Sequence, residues 1–362
     1  MSFALVHWTA FLSRKRSVDS PFKTPLFPLV PVVGGVACAA LAVFQAIAVP
    51  AAGGITAVWL GLGVLLYMAL FAGRAQAVDA FHEALDPRIA MTRGRSPLVL
   101  APVANPASAA GIIALANALA PPVVGRVVLL TILRKSDARV TAGEAVPRAL
   151  RDAQSVLLEG LTVSLAEGHT PEAIVTIADD PWAEIARAVA LRRCESLLLG
   201  VAVDRPESAE ALESLLNEVQ CDVVLLRAPT GWSPSSIERV VVPIGGRGGH
   251  DELRARLLGS LGRTQRRPVR FVRVVPEDTP AEKRETLRAE FLRFAEEETH
   301  GVAEAAVVAS DAVVSALAAS AGAGELLILG LQRHEGRRLL GEVALQVARE
   351  TDAAVLMISH RG

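Results

Sequence analysis

The distribution of charge divides the chain into two regions. No Asp, Glu, Lys or Arg occurs between Thr24 and Gly73, whereas charged residues are frequent from Arg74 onward. A helix needs about 20 apolar residues to cross the hydrocarbon core of a membrane. The tract therefore predicts two transmembrane helices, near residues 29–49 and 55–73. The alternative is a helical hairpin buried in a large soluble core, which would need amphipathic helices to cover it.

The flanks of this tract predict its orientation. Basic residues lie on both sides, at 14–16 and Lys23 before the tract and from Arg74 after it, which predicts that both flanks are cytoplasmic. We therefore expect a multi-pass protein of the cell inner (cytoplasmic) membrane with its C-terminal domains in the cytoplasm. A shorter apolar run at residues 3–12 fits either a truncated crossing or a helix lying on the membrane surface.

Beyond residue 95, short apolar runs alternate with segments of helical periodicity, which is the pattern of parallel α/β sheets. The first series predicts strands at 97–103, 126–132, 173–178, 196–201 and 222–227. The second series predicts strands at 239–244, 268–275, 303–309, 325–330 and 353–358. Asn105 before Pro106 and Asp180 before Pro181 mark helix starts, because Asn and Asp cap helices and proline suits the first turn.

Two copies of one α/β domain explain this repetition. Gly200 ends an apolar run in SLLLG, as Gly330 does in LLILG, and each copy ends with a further apolar strand. Two domains of ordinary length are therefore predicted rather than one large sheet. The predicted regions are a truncated apolar segment and basic loop (1–23), a transmembrane hairpin (24–73), a connector (74–95), a first α/β domain (96–229) and a second (230–362).

Composition and motifs exclude several functions. The net charge is −1 and basic stretches are short, so no nucleic-acid partner is expected. Cys38, Cys194 and Cys221 are odd in number and far apart, which predicts neither a metal site nor a disulfide framework. No nucleophile elbow, P-loop or zinc-protease motif is present in the sequence. We therefore expect no enzymatic activity.

The region around the charge-free tract resembles part of a transporter. The stretch SPFKTPLFPLVP, from Ser20 to Pro31, follows a basic loop and leads into the apolar tract. Through it, residues 1–73 resemble the last part of an amino acid permease of the amino acid/polyamine/organocation superfamily. The resemblance implies two closing membrane helices, with membrane lipid and other transporter helices or another subunit as partners.

The α/β copies resemble a second family. RVVVPIGG is typical of its first strand and CDVVLLRAP of its last, and residues 96–229 and 237–360 each resemble a universal stress protein domain. The resemblance implies a five-stranded parallel sheet with helices on both faces in each copy, and pairing of the copies through their last strands. Permeases fused to a tandem of such domains exist, and SPLVLAPVANPASAAGIIALANAL resembles the first strand and helix of that fusion class.

The resemblance also implies a nucleotide crevice. In that family ATP lies across the carboxyl ends of the first and fourth strands, with its phosphates on a glycine-rich G-x-x-G loop. The corresponding residues of the second copy are Gly245, Gly246, Gly330, Arg333, Gly336 and Gly341. The pattern is degenerate, because Arg333 replaces a glycine and Glu342 follows Gly341, so ATP is only a candidate ligand there. In the first copy VAVDRPES follows Gly200, and no nucleotide is expected.

These features together predict the C-terminal membrane-anchor and cytosolic regulatory part of an amino acid permease-like transporter. The tandem stress-protein domains would act as its sensing or interaction module. The alternative is a free-standing, membrane-tethered universal stress protein with a degenerate nucleotide-binding site.

Overall fold

The computed structural model describes residues 29–86, 97–120, 124–135, 148–201, 207–245, 251–299, 303–334 and 337–360. These residues form two compact units, with 29–75 in the first and those from Gln76 onward in the second. The apolar segment and basic loop predicted at 1–23 lie outside the described residues.

Two apolar helices form the first unit. Helix α1 is Leu29–Ala48 and helix α2 is Pro50–Leu66, followed by a π-helical turn at Tyr67–Phe71. Proline begins α2 because its ring is suited to the first helical position and needs no hydrogen-bond acceptor there. Gly53 allows the helices to approach closely, since a Cβ at this position would lie 2.8 Å from the carbonyl oxygen of Ala46.

Large apolar side chains are exposed on both helices of this unit. Leu41, Phe44, Ile47 and Trp59 are each between 67% and 74% exposed. The sequence predicts membrane crossings in this region, near 29–49 and 55–73. Among the described residues, however, no helix combines the length and the apolar character that a membrane crossing requires. The predicted pair of transmembrane helices is therefore not found in this part of the chain.

All ten predicted strands are present in the second unit, and their ends differ from the predicted ends by two residues at most. The first copy contributes β1 (Leu98–Pro102), β2 (Arg126–Arg134), β3 (Glu172–Ala178), β4 (Ser196–Gly200) and β5 (Asp222–Arg227). The second copy contributes β6 (Arg239–Pro243), β7 (Val269–Val275), β8 (Ala303–Ala309), β9 (Glu325–Gly330), the short strands β10 (Gln332–His334) and β11 (Arg337–Leu339), and β12 (Ala354–Ser359).

The sequence predicts two domains, each with a five-stranded sheet, rather than one large sheet, and this prediction is wrong in one respect. The strand orders β3-β2-β1-β4-β5 and β8-β7-β6-β9-β12 are equivalent, and the strands within each copy are parallel. Strands β5 and β12 then pair antiparallel, from Val223 opposite Ser359 to Arg227 opposite Val355, which makes one continuous ten-stranded sheet. This pairing satisfies backbone groups that two separate sheets would leave at exposed edges.

Helices cover both faces of the sheet. They are α3 (Ala72–Leu85), α4 (Pro106–Leu119), α5 (Arg148–Ala166), α6 (Pro181–Arg192), α7 (Glu207–Glu218), α8 (Asp251–Thr264), α9 (Ala281–Thr299), α10 (Val313–Ala318) and α11 (Glu342–Glu350). The caps predicted at Asn105 and Asp180 are confirmed. The side chain of Asn105 accepts a hydrogen bond from the N–H of Ala107 at 3.0 Å, and that of Asp180 accepts one from Trp182 at 2.9 Å.

Alternate residues of each strand face two different cores. In β1, for example, Val99 and Ala101 point to one core and Leu98 and Leu100 to the other. Residues of α3, α4, α5, α8 and α9 pack in the first core, and residues of α6, α7, α10 and α11 pack in the second. Because both of its faces are covered, the centre of the sheet has strands that are mainly apolar rather than alternating, as in β5 and β12.

A buried carboxylate joins the two copies. Asp222 of β5 has only 1% of its side chain exposed; it pairs with Arg256 Nη1 of α8 at 2.9 Å and with His360 Nδ1 at 2.8 Å. Arg256 also pairs with Glu252 at 2.9 Å and with Glu195 at 3.3 Å. Since Glu195 and Asp222 come from the first copy and the other three residues from the second, this cluster fixes the two copies against each other.

Candidate functional site

The crevice of the second copy lies where β6 and β9 end side by side. Gly330 ends β9, and Gly245 follows β6 with a φ of +137°. A Cβ at Gly245 would meet no atom within 4 Å, so the backbone conformation rather than lack of space requires glycine here. The structure therefore brings Gly245 and Gly330 to the same edge. Gly246 and Gly336 lie outside the described residues.

The segment after Gly330 forms a hairpin instead of an open loop. Strands β10 and β11 are antiparallel, and Arg333 lies opposite Arg338. A hairpin pairs backbone N–H groups with the neighbouring strand, whereas a phosphate-binding loop points them at the anion. The predicted site residue Arg333 is thus part of a strand in the segment where the resemblance implies a phosphate loop.

The end of this hairpin contacts the first copy. The N–H of Leu340 donates a hydrogen bond to Glu213 Oε1 of α7 at 2.9 Å. Gly341, the last of the predicted site residues, is the N-cap of α11, and Glu342 adds a negative charge in the first turn. A helix N-terminus favours anions, but the carboxylate of Glu342 opposes a bound phosphate. The segment from Leu340 to Glu342 therefore favours contact with the first copy over binding of a phosphate.

The corresponding crevice of the first copy contains a large cavity. Its volume is about 570 Å³, and it lies at the carboxyl ends of β1, β2 and β4. Gly200 ends β4 beside it, and a Cβ there would lie 2.6 Å from Cδ1 of Ile112. The glycine therefore makes room for an apolar side chain. Most of the side chains around the cavity are apolar, including Ile112, Leu130, Ile132, Trp182, Ile185 and Leu212.

The two crevices differ at one equivalent strand position. The strand registers match Thr131 of β2 to Arg273 of β7. In the second copy the guanidinium carbon of Arg273 lies 5.0 Å from the centre of the Phe291 ring, a cation–π contact. In the first copy Thr131 lines the cavity. At this position the first copy therefore has an uncharged hydroxyl group where the second copy has a cation.

Helix α3, in the predicted connector, packs against the second copy. Ala77, Ala80, Phe81 and Ala84 are buried, with 5% to 8% of their surface exposed. Gly259 of α8 permits this close packing, because a Cβ there would lie 2.4 Å from the carbonyl oxygen of Phe81. The connector therefore contains a helix that belongs to the core of the tandem domains.

One arginine links this helix to both copies. Arg263 of α8 donates hydrogen bonds to the carbonyl oxygens of Ala84 in α3 and Ala118 in α4. Both carbonyls lie at helix C-termini, where the helix dipole favours a cation. Burial lowers the pKa of Arg263 to about 10, so the side chain remains charged at neutral pH. Burial and the nearby Arg263 charge in turn lower the pKa of His169.

The two cysteines of the α/β unit are buried, and one of them has a raised pKa. Cys194 and Cys221 are buried, and burial raises the pKa of the Cys194 thiol to about 11, which keeps it protonated at neutral pH. The described residues also contain no group of three or more His, Cys, Asp and Glu side chains that could hold a metal ion.

Sequence reasoning missed the cavity and the docking of α3. The signal for the cavity is Thr131, which interrupts the apolar run VVLLTIL of β2. The signal for docking is the spacing of Ala77, Phe81 and Ala84, which places three apolar side chains on one side of a helix. Neither signal shows what the residues contact.

Comparison with known proteins shows the fold. No protein-family model matches the chain, and no curated protein matches it in sequence. The structure is similar to a universal stress protein from Archaeoglobus fulgidus DSM 4304, with a TM-score of 0.51, 15% sequence identity, and coverage of 74% of this chain and 97% of that one. It is also similar to the cytoplasmic domain of a prokaryotic cation chloride cotransporter, with a TM-score of 0.51, 14% identity, and coverage of 74% and 96%. The α/β unit therefore has a universal stress protein-like fold.

Proposed function

We propose that this chain is the membrane-anchor and cytosolic regulatory part of an amino acid permease-like transporter. Its N-terminal apolar helices attach it to the cytoplasmic membrane through lipid or through other transporter helices rather than as membrane crossings of their own, and the tandem universal stress protein-like pair lies on the cytosolic side. The pair acts by binding a partner protein or transporter helices, and it carries out no reaction of its own.

The anchor is supported by the first unit of the chain. The stretch from Thr24 to Gly73 has no charged residue, and large apolar side chains of α1 and α2 are exposed. Exposed apolar surface of this extent is unfavourable in water and favourable against lipid or against other transporter helices. Basic residues on both flanks favour a cytosolic position for the tandem pair.

The docking of α3 is the observation that carries the regulatory part of the proposal. Residues 76–85 follow the apolar tract closely in sequence, and they are packed against Gly259 and linked through Arg263 to both copies. A flexible linker would transmit little of a change in the tandem pair. A helix that is packed in the core, by contrast, moves with the pair, so we expect a change in the pair to reach residues 76–85.

The structural relatives are consistent with this role. The cation chloride cotransporter domain that shares the fold is, by its description, the cytoplasmic part of a membrane transporter. This supports the proposal that the α/β unit is the cytosolic part of a transporter.

We expect the tandem pair to act without ATP. The β10–β11 hairpin and Glu342 occupy the segment that would hold the phosphates, and Leu340 connects this segment to the first copy. A ligand that binds the folded state raises its melting temperature by an amount that grows with the ratio of the ligand concentration to the Kd. Melting the purified chain in detergent with increasing ATP, up to millimolar concentration, should therefore leave the melting temperature unchanged.

The same experiment distinguishes the proposed transporter module from a membrane-tethered stress protein that binds nucleotide. A rise in melting temperature that grows with ATP concentration, and that the substitution Gly330→Val removes, would contradict the proposal. It would favour a membrane-tethered stress protein that binds nucleotide in its second crevice. A matched titration with inorganic phosphate shows whether any rise is specific to the nucleotide.

A further inference from the structure

The cavity of the first copy has the dimensions of a small-molecule site. Its volume of about 570 Å³ falls in the range of roughly 300 to 1,000 Å³ that is common for ligand pockets. It lies at the carboxyl ends of parallel strands, which is where open α/β sheets bind ligands. Leu340 and Arg349 of the second copy also line it, so both copies contribute to its wall.

The charges around this cavity do not suit a nucleotide. Arg134, Asp152 and Arg349 line it, but all three are exposed and their signs are mixed. None of the charged side chains among the described lining residues is buried. Aliphatic side chains and Trp182 form most of the lining, together with the uncharged polar side chains of Asn105, Ser108 and Thr131. Such a lining favours an uncharged molecule, because burying an unpaired charge among apolar groups is costly.

Thr131 supplies a buried polar group at this cavity that needs a partner. The residue is 4% exposed and lines the cavity, and its Oγ1 atom has no hydrogen-bond partner among the described residues. Buried hydroxyl groups in proteins are nearly always hydrogen-bonded. A molecule in the cavity with an O–H or N–H group would satisfy Thr131 while its apolar body contacts the surrounding side chains.

We propose that this cavity binds a small, uncharged, mainly aromatic or aliphatic molecule that forms a hydrogen bond with Thr131 Oγ1. The first copy is then a ligand-binding domain for an apolar compound in place of ATP. The second copy lacks the equivalent group, because Arg273 stands at the position of Thr131 and contacts Phe291. The inference does not depend on the proposed membrane anchor or on the regulatory role.

Titration with 2-naphthol tests the proposal, with naphthalene as the matched ligand that lacks the hydroxyl group. Binding to the complete chain in detergent is measured by calorimetry, and empty micelles are titrated in parallel to subtract partitioning. We expect saturable binding of one 2-naphthol per chain. Thr131→Val keeps the shape of the side chain, so it should weaken 2-naphthol binding about three- to tenfold and leave naphthalene binding unchanged.

Thr299→Val is the control substitution, because Thr299 is also buried but donates its hydroxyl to the carbonyl oxygen of Ala295 at 2.8 Å. It should lower the melting temperature and leave 2-naphthol binding intact. Thr131→Val should not lower the melting temperature of the free protein, since its hydroxyl has no partner to lose. Ala153→Trp places a large ring in the cavity and should abolish binding of both ligands. If the Ala153→Trp variant does not fold, Ala209→Phe tests the same expectation from another wall of the cavity.

Three results would overturn the proposal. The first is an absence of saturable 2-naphthol binding beyond that of empty micelles. The second is an equal loss of 2-naphthol and naphthalene affinity in Thr131→Val. The third is displacement of 2-naphthol by ATP, which would make the cavity a nucleotide site.

Discussion

Replacing Asp222 with alanine is expected to lower the free energy of unfolding of the tandem pair by about 3 kcal/mol. The side chain of Asp222 is almost completely buried and pairs with Arg256 and His360 across the junction of the two copies. Removing it leaves a partly buried arginine with fewer acceptors in a region of low dielectric constant. For a unit of this size we expect the melting temperature to fall by roughly 6 to 12 °C.

Asp179 provides the matched control. It also pairs with a basic residue, Lys135, at 2.5 Å, but its side chain is 72% exposed. Exposed ion pairs contribute about 0 to 1 kcal/mol, so Asp179→Ala should leave the melting temperature nearly unchanged. Equal effects of the two substitutions, measured by thermal unfolding under the same conditions, would contradict a structural role for the buried cluster.

Replacing Gly259 with alanine is expected to displace α3 from the tandem pair. The new Cβ would lie 2.4 Å from the backbone oxygen of Phe81 and 3.0 Å from Cβ of Ala84, so the helix must shift. Overpacking of this kind destabilises a core by about 1 to 3 kcal/mol. Hydrogen exchange followed by mass spectrometry should show faster exchange of the amides of residues 76–85, where the wild-type chain is protected.

Gly262 lies on the same helix and serves as the control. A Cβ there would meet only Cδ1 of Leu85, at the ordinary contact distance of 3.8 Å. Because alanine favours a helix over glycine by about 0.5 to 1 kcal/mol, Gly262→Ala should stabilise the chain slightly and leave exchange in α3 unchanged. If Gly259→Ala behaves in the same way, α3 is not packed as described.

The strands of the tandem pair were predictable because their environment is uniform. Parallel strands covered on both faces are apolar throughout, so runs such as VVLL in β5 and ELLILG in β9 are conspicuous between charged helices. The caps at Asn105 and Asp180 were predictable for a similar reason, since a polar residue before proline has a local structural role.

Other features depend on contacts between distant segments, which no local pattern specifies. The family resemblance implies that the copies pair through their last strands, but the antiparallel register of β5 with β12 joins residues more than a hundred positions apart, such as Val223 and Ser359. The β10–β11 hairpin is built from strands of three residues, too short to give a periodic signal. The site was predicted only in part for the same reason. Gly245 and Gly330 meet as the family resemblance implies, but the cavity beside Thr131 depends on side chains from six or more separate elements.

The position of the tandem pair at the cytosolic face of a membrane is the central claim. It can be tested with sealed membrane vesicles that contain the complete chain with an epitope tag added after Gly362. In inside-out vesicles, trypsin should remove the tag, while in right-side-out vesicles the tag should remain until detergent is added, and alkaline carbonate should leave the chain in the membrane fraction. Removal of the tag only from right-side-out vesicles, or release of the chain by carbonate, would contradict the account.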